Sequence, residues 1–488
     1  MSRPALSAPP ALAAPTKPAV LRTELLSGLV VALALIPEAI AFSLIAGVEP
    51  QVGLFASFTM AVTIAVVGGR PAMISAATGA VALVVAPLVR DHGLPYLVAA
   101  VILAGVLQAV FGLLGVAKLM RFLPRSVMVG FVNALAILIA AAQFPQVWGV
   151  PWAVYPLLAV GLAIMVLLPR LTTVVPAPLV AIVVLTAVTV GAGISVPTVG
   201  DQGALPSTLP VPGLPDVPLS WETLRIIAPY AVGMALVGLL ESLMTARLVD
   251  EITDTRSDAR RESWGQGVAN VVTGIFGGMG GCAMIGQTMI NVRAGARTRL
   301  STFLAGLFLI VLCVVLGPVV ARIPMAALAG VMIMVAVGTF DWHSLRTLRR
   351  MPRSETAVML ATVVVTVATH NLAYGVGVGV VVAALLFVRR VARLVEIDRE
   401  AVGEQVVYRV RGQLFFASSN DLVLRFAYAD DPAEVTIDLS GAHVWDASTV
   451  AVLDAVAQKY AARGTEVTIT GMNADSARRH EALAGRLA

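Results

Sequence analysis

Charge is scarce in this 488-residue chain: 13% of its residues are Asp, Glu, Lys or Arg, against about 25% in ordinary soluble domains. Lysine occurs only as Lys17, Lys118 and Lys459, and none sits in a G-K-[ST] loop, which excludes a Walker A nucleotide site. Gly265 and Gly267 start a dinucleotide-type pattern, but Asn270 stands where its third glycine belongs. The five histidines, His92, His343, His370, His443 and His480, have no metal-ligand spacing, and neither an HExxH nor a nucleophile-elbow pattern is present. No catalytic residue, metal site or cofactor is therefore expected. Cys282 and Cys313, both in apolar surroundings, can form neither a disulfide framework nor a zinc set and read as packing residues. The basic residues are not clustered with aromatics, which argues against a nucleic-acid partner.

What the chain does have is apolar length. Hydrophobic residues make up 58%, and stretches long enough to cross a bilayer recur from Leu25 to Val388 with the charges between them. Fourteen spans fit this pattern, among them a first near 25–46, a third near 74–89, an eighth near 225–249 and a tenth near 284–293. Weak alternation in short segments, the mark of a transmembrane barrel, is absent. An even number of spans returns the chain to its starting side. Only Arg90, Arg225 and Arg322 fall on the opposite side among the basic residues before Arg389, so both termini are expected in the cytoplasm. Residues 1–20 are rich in Ala and Pro, with no continuous apolar region for a cleaved signal, and read as a cytoplasmic N-terminal segment.

The Pro- and Gly-rich stretch from Ser195 to Ser220 divides the membrane region into two halves of seven spans, about 21–195 and 222–393. An odd number of spans per half inverts the second relative to the first, a recurrent plan of secondary transporters. Ala72-Met73-Ile74 at the third span is echoed by Ala283-Met284-Ile285 at the tenth, and Glu38 in the first span by Glu241 in the eighth. After Arg393, candidate strands at 406–410, 435–439 and 467–470 alternate with candidate helices at 449–463 and 476–487, a small cytoplasmic α/β domain over about 400–488. The fold class expected is an all-α polytopic membrane protein with fourteen transmembrane segments in two inverted repeats, followed by that domain.

The glycines at 277, 278, 280 and 281 and the charge at Arg293 leave the tenth span about ten helical residues, roughly half of a ~30 Å hydrocarbon core. A helix starting inside the membrane offers free backbone N–H groups and the positive end of its dipole to an anion. Gly286, Gln287 and Thr288 lie at that start. Pro71, Ser75, Thr78 and Gly79 place a comparable start in the third span. Two facing helix starts make an anion site that needs no buried Arg or Lys; the competing reading is that these small residues only let helices pack closely. Glu38 and Glu241 are carboxyls in apolar spans, and Thr245 follows Glu241 by one turn. Burial disfavours their charged form, so each is a candidate for taking up and releasing a proton.

These residues resemble a known family. Leu35-Ile36-Pro37-Glu38-Ala39-Ile40-Ala41-Phe42 with Gly53-Leu54-Phe55-Ala56-Ser57-Phe58, and the tenth-span stretch with Arg297-Thr298-Arg299-Leu300-Ser301, resemble the SulP anion transporters, relatives of prestin and pendrin, in their bacterial branch. Ile437-Asp438-Leu439-Ser440 and Asp446-Ala447-Ser448-Thr449 resemble the STAS domain that follows them. The resemblance implies a core of spans 1–4 and 8–11, a gate of spans 5–7 and 12–14, elevator-like alternation, a homodimer, and a bacterial inner-membrane location. It places the anion between spans 3 and 10, lined from span 1 at Glu38 and Phe42. Gln287 stands where many eukaryotic members carry an Arg, so dipoles and a co-transported cation gain weight. Glu241 and Thr245 match a sodium-binding pair of cyanobacterial bicarbonate members with Glu in place of Asp, which leaves proton or sodium open. The cargo expected is a small inorganic or carboxylate anion. Proton symport of a dicarboxylate such as fumarate is preferred to sodium-coupled bicarbonate or sulfate transport, and an anion channel, an exchanger or a membrane sensor are the other readings. Ser448 aligns with the serine phosphorylated in anti-sigma antagonists of STAS fold, against a plain role as helix N-cap.

Overall fold

The computed structural model describes residues 18–115, 123–171, 176–419 and 422–486. The expected N-terminal segment lies outside them up to residue 17. The chain divides into two compact units, residues 1–380 and 381–488.

Among the described residues fourteen principal helices precede the C-terminal sheet, the last of them crossing the boundary between the units. The first half holds α1 (Pro18–Ala46), α2 (Pro50–Val67), α3 (Gly79–His92), α4 (Leu94–Leu114), α5 (Arg125–Ala142), α6 (Val154–Leu171) and α7 (Ala177–Gly191). The second holds α8 (Trp221–Thr253), α9 (Ala259–Ile275), α10 (Ile285–Arg293), α11 (Arg299–Val320), α12 (Met325–Thr339), α13 (Arg353–Thr369) and α14 (Leu372–Ala392). Short helices at Phe144–Val147 and Trp342–Thr347 lie between them. Two-residue strands precede the third helix of each half: β1 (Ser75–Ala76) before α3 and β2 (Cys282–Ala283) before α10. They pair antiparallel, Ser75 with Ala283 and Ala76 with Cys282, as two inverted halves require.

Among the described residues eight helical segments have the length and apolarity to cross a membrane alone. The fourteen spans read from the sequence have counterparts of unequal length, as the short tenth span implied. At ~1.5 Å per residue α3 and α10 reach only about 21 and 14 Å. The third helix starts at Gly79, not in the region of Ala72 to Ser75, because a turn at 71–72 and then β1 at Ser75–Ala76 precede it.

Helix contacts sort the bundle into two groups. α1 packs on α2, α3, α10 and α11, while α4 packs on α8 and α9; α5 packs on α12 and α13, and α6 on α7 and α12. α14 joins the second group, since Gly375 and Gly379 lie against Thr362 and Thr366 of α13. The α4–α9 crossing depends on small residues: a Cβ on Gly105 would stand 2.6 Å from the carbonyl oxygen of Gly267, so glycine lets the two backbones touch.

Ends of helices are pinned by side chains. Glu24 of α1, 1% exposed, accepts the backbone amides of Arg297, Thr298 and Ser301 and so closes the start of α11. Ser220 caps α8 through Thr223 N at 3.1 Å.

The second unit contains a four-stranded mixed sheet, β3 (Glu396–Val402), β4 (Gln405–Leu414), β5 (Glu434–Val444) and β6 (Glu466–Thr470), in that order. β3 and β4 form an antiparallel hairpin, and β4–β5–β6 run parallel. α15 (Ala447–Ala461) supplies the crossover from β5 to β6, and α16 (Ala474–Leu483) follows. Alternation along β4 turns Val406, Tyr408 and Val410 inward, where they meet Ile437, Leu439, Leu453 and Tyr460 in a core of their own.

Candidate anion site

The stretch before α10 is held in place by a side-chain clamp from α9. Asn270 Nδ2 donates to the Gly281 carbonyl at 3.0 Å, and its Oδ1 accepts Gly281 N at 2.9 Å, which fixes an extended strand where a helix has not yet begun. The neighbouring helices complete the frame: Gln108 accepts from Asn270 at 2.8 Å, and Ala283 N donates to Ser242 Oγ at 3.1 Å. Ile74 N donates to Thr288 Oγ1 at 3.0 Å and Met284 N to the Ile74 carbonyl at 2.9 Å, tying the two helix starts together.

Both starts leave backbone donors unclaimed. In α3 the Thr78 hydroxyl caps only Val81 N, at 3.4 Å. In α10 the N-cap Met284 makes no side-chain cap, and the helical ladder begins with Thr288 N on the Met284 carbonyl. The amides of Gly79 and Ala80, and of Ile285 and Gly286, are therefore free to receive an acceptor. They border a cavity of about 380 Å³, within the usual range for small-molecule sites. Its wall includes Glu38 and Phe42 of α1, Thr78 and Gly79 at the start of α3, Glu241 and Met244 of α8, and Met284, Ile285 and Gly286 at the start of α10. Phe131, Leu135 and Ile139 of α5 and Val335, Gly338 and Thr339 of α12 close the other side. Among the described residues the ionisable groups in that lining are the two glutamates, with no Lys or Arg.

Of the residues singled out from sequence, Glu38, Phe42, Thr78, Gly79, Glu241 and Gly286 come together on this wall. Four others do not. Ser75 is fully buried in β1 and accepts from Gln266 Nε2 at 2.6 Å. Thr288 spends its hydroxyl on Ile74, and Gln287, 1% exposed, hydrogen-bonds to Glu38 behind the cavity face. Thr245 is fully buried and donates to the Glu241 carbonyl at 2.8 Å.

Cys282 is more than packing. Its thiol donates to Glu241 Oε2 at 2.9 Å and lies 3.2 Å from Thr78 Oγ1, so it bridges α8 to the start of α3. Cys313 remains a packing residue in α11. The apolar wall from α5 and α12 was invisible to sequence reasoning, since Leu, Ile and Val there look like any lipid-facing residue. Ser448 does not cap a helix: Asp446 does so for α15, accepting Thr449 N at 3.0 Å, and Ser448 sits exposed in the first turn.

Comparison with known proteins agrees with this architecture. "Putative sulfate transporter YbaR" of Bacillus subtilis (strain 168) is 54% identical over 453 residues, covering 93% of this chain and 95% of that protein. "Bicarbonate transporter BicA" of Synechocystis sp. is 27% identical, with 88% of this chain and 85% of the relative covered. The solved murine Slc26a9 anion transporter, in an inward-facing state, superposes with a TM-score of 0.83 at 17% identity over 96% of this chain and 88% of that one, a likeness of fold. Residues 21–158 and 153–362 match the model of the sulfate permease family, and 396–484 match the STAS domain. The chain thus belongs to the sulfate permease family, as a multi-pass anion transporter with a STAS domain and not an enzyme.

Proposed function

We propose that the protein is a proton-coupled symporter that carries a small oxyanion in the cavity between the starts of α3 and α10. The observation that supports this reading best is the pairing of four unclaimed backbone amides with two carboxyls and no basic side chain in one cavity. The amides attract an anion, but an ionised glutamate about 5 Å away would repel it by roughly 3 kcal/mol at an effective dielectric near 20. Protonation of Glu241 or Glu38 removes that repulsion and adds a donor, so cargo and proton enter together. Thr245 Oγ1 is buried against the Glu241 carbonyl and off the cavity wall, which weighs for a proton over sodium as the coupling ion.

The two relatives above are described as a putative sulfate transporter and a bicarbonate transporter, which favours one of these anions over fumarate as cargo. Movement of the α1–α4 and α8–α11 group against the α5–α7 and α12–α14 group, elevator-fashion in a homodimer, would carry the site across the bacterial inner membrane with both termini cytoplasmic. A channel or exchanger is the second reading, since a cavity without a fixed charge also suits passive flux. Radiotracer uptake of sulfate, bicarbonate and fumarate into proteoliposomes at two external pH values tests the proposal. Uptake of one anion that rises with external acidity supports it; equal uptake at both values, or uptake of none of the three, refutes it.

A further inference from the structure

A second cavity, of about 430 Å³, opens on the outer surface of the bundle and shares no lining residue with the anion site. Its walls come from both helix groups: Leu33, Ile36 and Pro37 of α1 and Leu316 and Val319 of α11 on one side, and α7 from Leu179 to Val190 on the other. The lining is dry. Its one hydroxyl, Thr186, is spent on the Ile182 carbonyl at 2.7 Å, and Val183, Val190 and Val319 are 58%, 50% and 56% exposed along it.

A single charge stands at one end. Arg322, exposed in the connection between α11 and α12, lines the groove, and among the described residues its guanidinium has no hydrogen bond or ion pair. The α7 wall runs about 16 Å at ~1.5 Å per residue, close to one leaflet's share of a ~30 Å hydrocarbon core.

We propose that this groove is a phospholipid site, in which one acyl chain lies along α7 against Leu33, Ile36 and Val319 and an anionic headgroup pairs with Arg322. The length, the absence of polar demand along the wall and the lone cation at the water end match that amphiphile and no water-soluble anion. A guanidinium at the membrane interface pairs bidentately with a phosphate, whereas a zwitterionic headgroup offers it a phosphate already paired with its own ammonium.

Native mass spectrometry of the full chain, purified in mild detergent with equal phosphatidylglycerol and phosphatidylcholine, tests the site. The wild type is expected to keep one lipid, with phosphatidylglycerol preferred about tenfold. Arg322→Gln is expected to lose the preference, and Val183→Trp, which fills the groove from a lipid-exposed position, to lose the bound lipid. Thermal unfolding supplies a second readout that does not depend on either variant. Phosphatidylglycerol is expected to raise the wild-type midpoint by several degrees, and phosphatidylcholine at the same concentration to raise it less. An equal preference in wild type and Arg322→Gln, lipid retained by Val183→Trp, or an equal shift with phosphatidylcholine each overturns the proposal.

Discussion

At the scale of single residues, the anion cavity and the STAS core use opposite electrostatic strategies. In the cavity charge is avoided: Glu241 meets a thiol and Glu38 meets an amide. Gly286 keeps the cavity wall bare: a Cβ added there meets no protein atom within 4 Å and would take up space open to the cargo. Gly286→Ala is therefore expected to fold as the wild type does but to raise the apparent Km for the anion about tenfold, ~1.4 kcal/mol; an unchanged Km in proteoliposomes would show that the cargo binds elsewhere.

In the STAS core charge is concentrated. Burial pushes the Asp431 carboxyl up, but hydrogen bonds from Tyr460 at 2.5 Å and Tyr408 at 2.7 Å, and the Arg399 guanidinium at 2.7 Å, outweigh it and hold the group below its usual range. A depressed carboxyl stabilises the fold fully above its unfolded value, about pH 4, and loses that contribution as pH falls through the lower folded value. Asp431→Asn is expected to cost roughly 2–3 kcal/mol at neutral pH, read by urea denaturation of the STAS unit, and to flatten the acid limb of its stability profile. A variant as stable as the wild type at pH 7 would contradict this account of the core.

The elements differ in how much of them the sequence makes legible. The reduced length of α10 follows from Gly277 to Gly281 at one end and Arg293 at the other, because glycine and charge mark helix ends regardless of tertiary context. The buried glutamates are equally plain, since a carboxyl in an apolar run stands out. The strands β1 and β2 are another matter. Two residues carry no periodicity, and the pairing of Ser75 with Ala283 joins positions 208 apart in the chain. That pairing, not the helix start, takes Ser75 away from the cavity, and the contact with Ile74 does the same for Thr288. Likewise the surface strand β3 has no alternation to announce it, being exposed along nearly its whole length.

The close approach of these strands carries the most severe prediction. A Cβ on Gly281 would lie 2.0 Å from the Ala76 carbonyl oxygen, and backbone cannot yield as a side chain would. Gly281→Ala is expected to separate β1 from β2 and to leave little folded protein, measured as the monodisperse fraction after detergent extraction. A normal yield with normal uptake would mean that the strand pair does not hold the site together.

For the whole molecule, the contacts place the anion cavity where two groups of helices meet. One group supplies every polar and backbone element of the site except Thr339, while the other supplies an apolar wall. This division suits a bundle that carries its own binding groups past a smooth surface, since no cargo contact on that surface has to break beyond the Thr339 hydroxyl. The inverted repeat explains why the site needs both halves: each contributes one helix start and one carboxyl, and neither half alone encloses the cavity.

Coupling of cargo to protons is the claim on which this account rests, and it is tested by loading proteoliposomes at neutral pH and imposing an acidic exterior in the presence of labelled sulfate or bicarbonate. The wild type should accumulate label above its equilibrium level and discharge it when a protonophore collapses the gradient. Glu241→Gln, which keeps the size of the side chain and an acceptor for the Cys282 thiol, should reach equilibrium but not exceed it. Accumulation by Glu241→Gln equal to that of the wild type, or wild-type uptake indifferent to the gradient, would contradict the account.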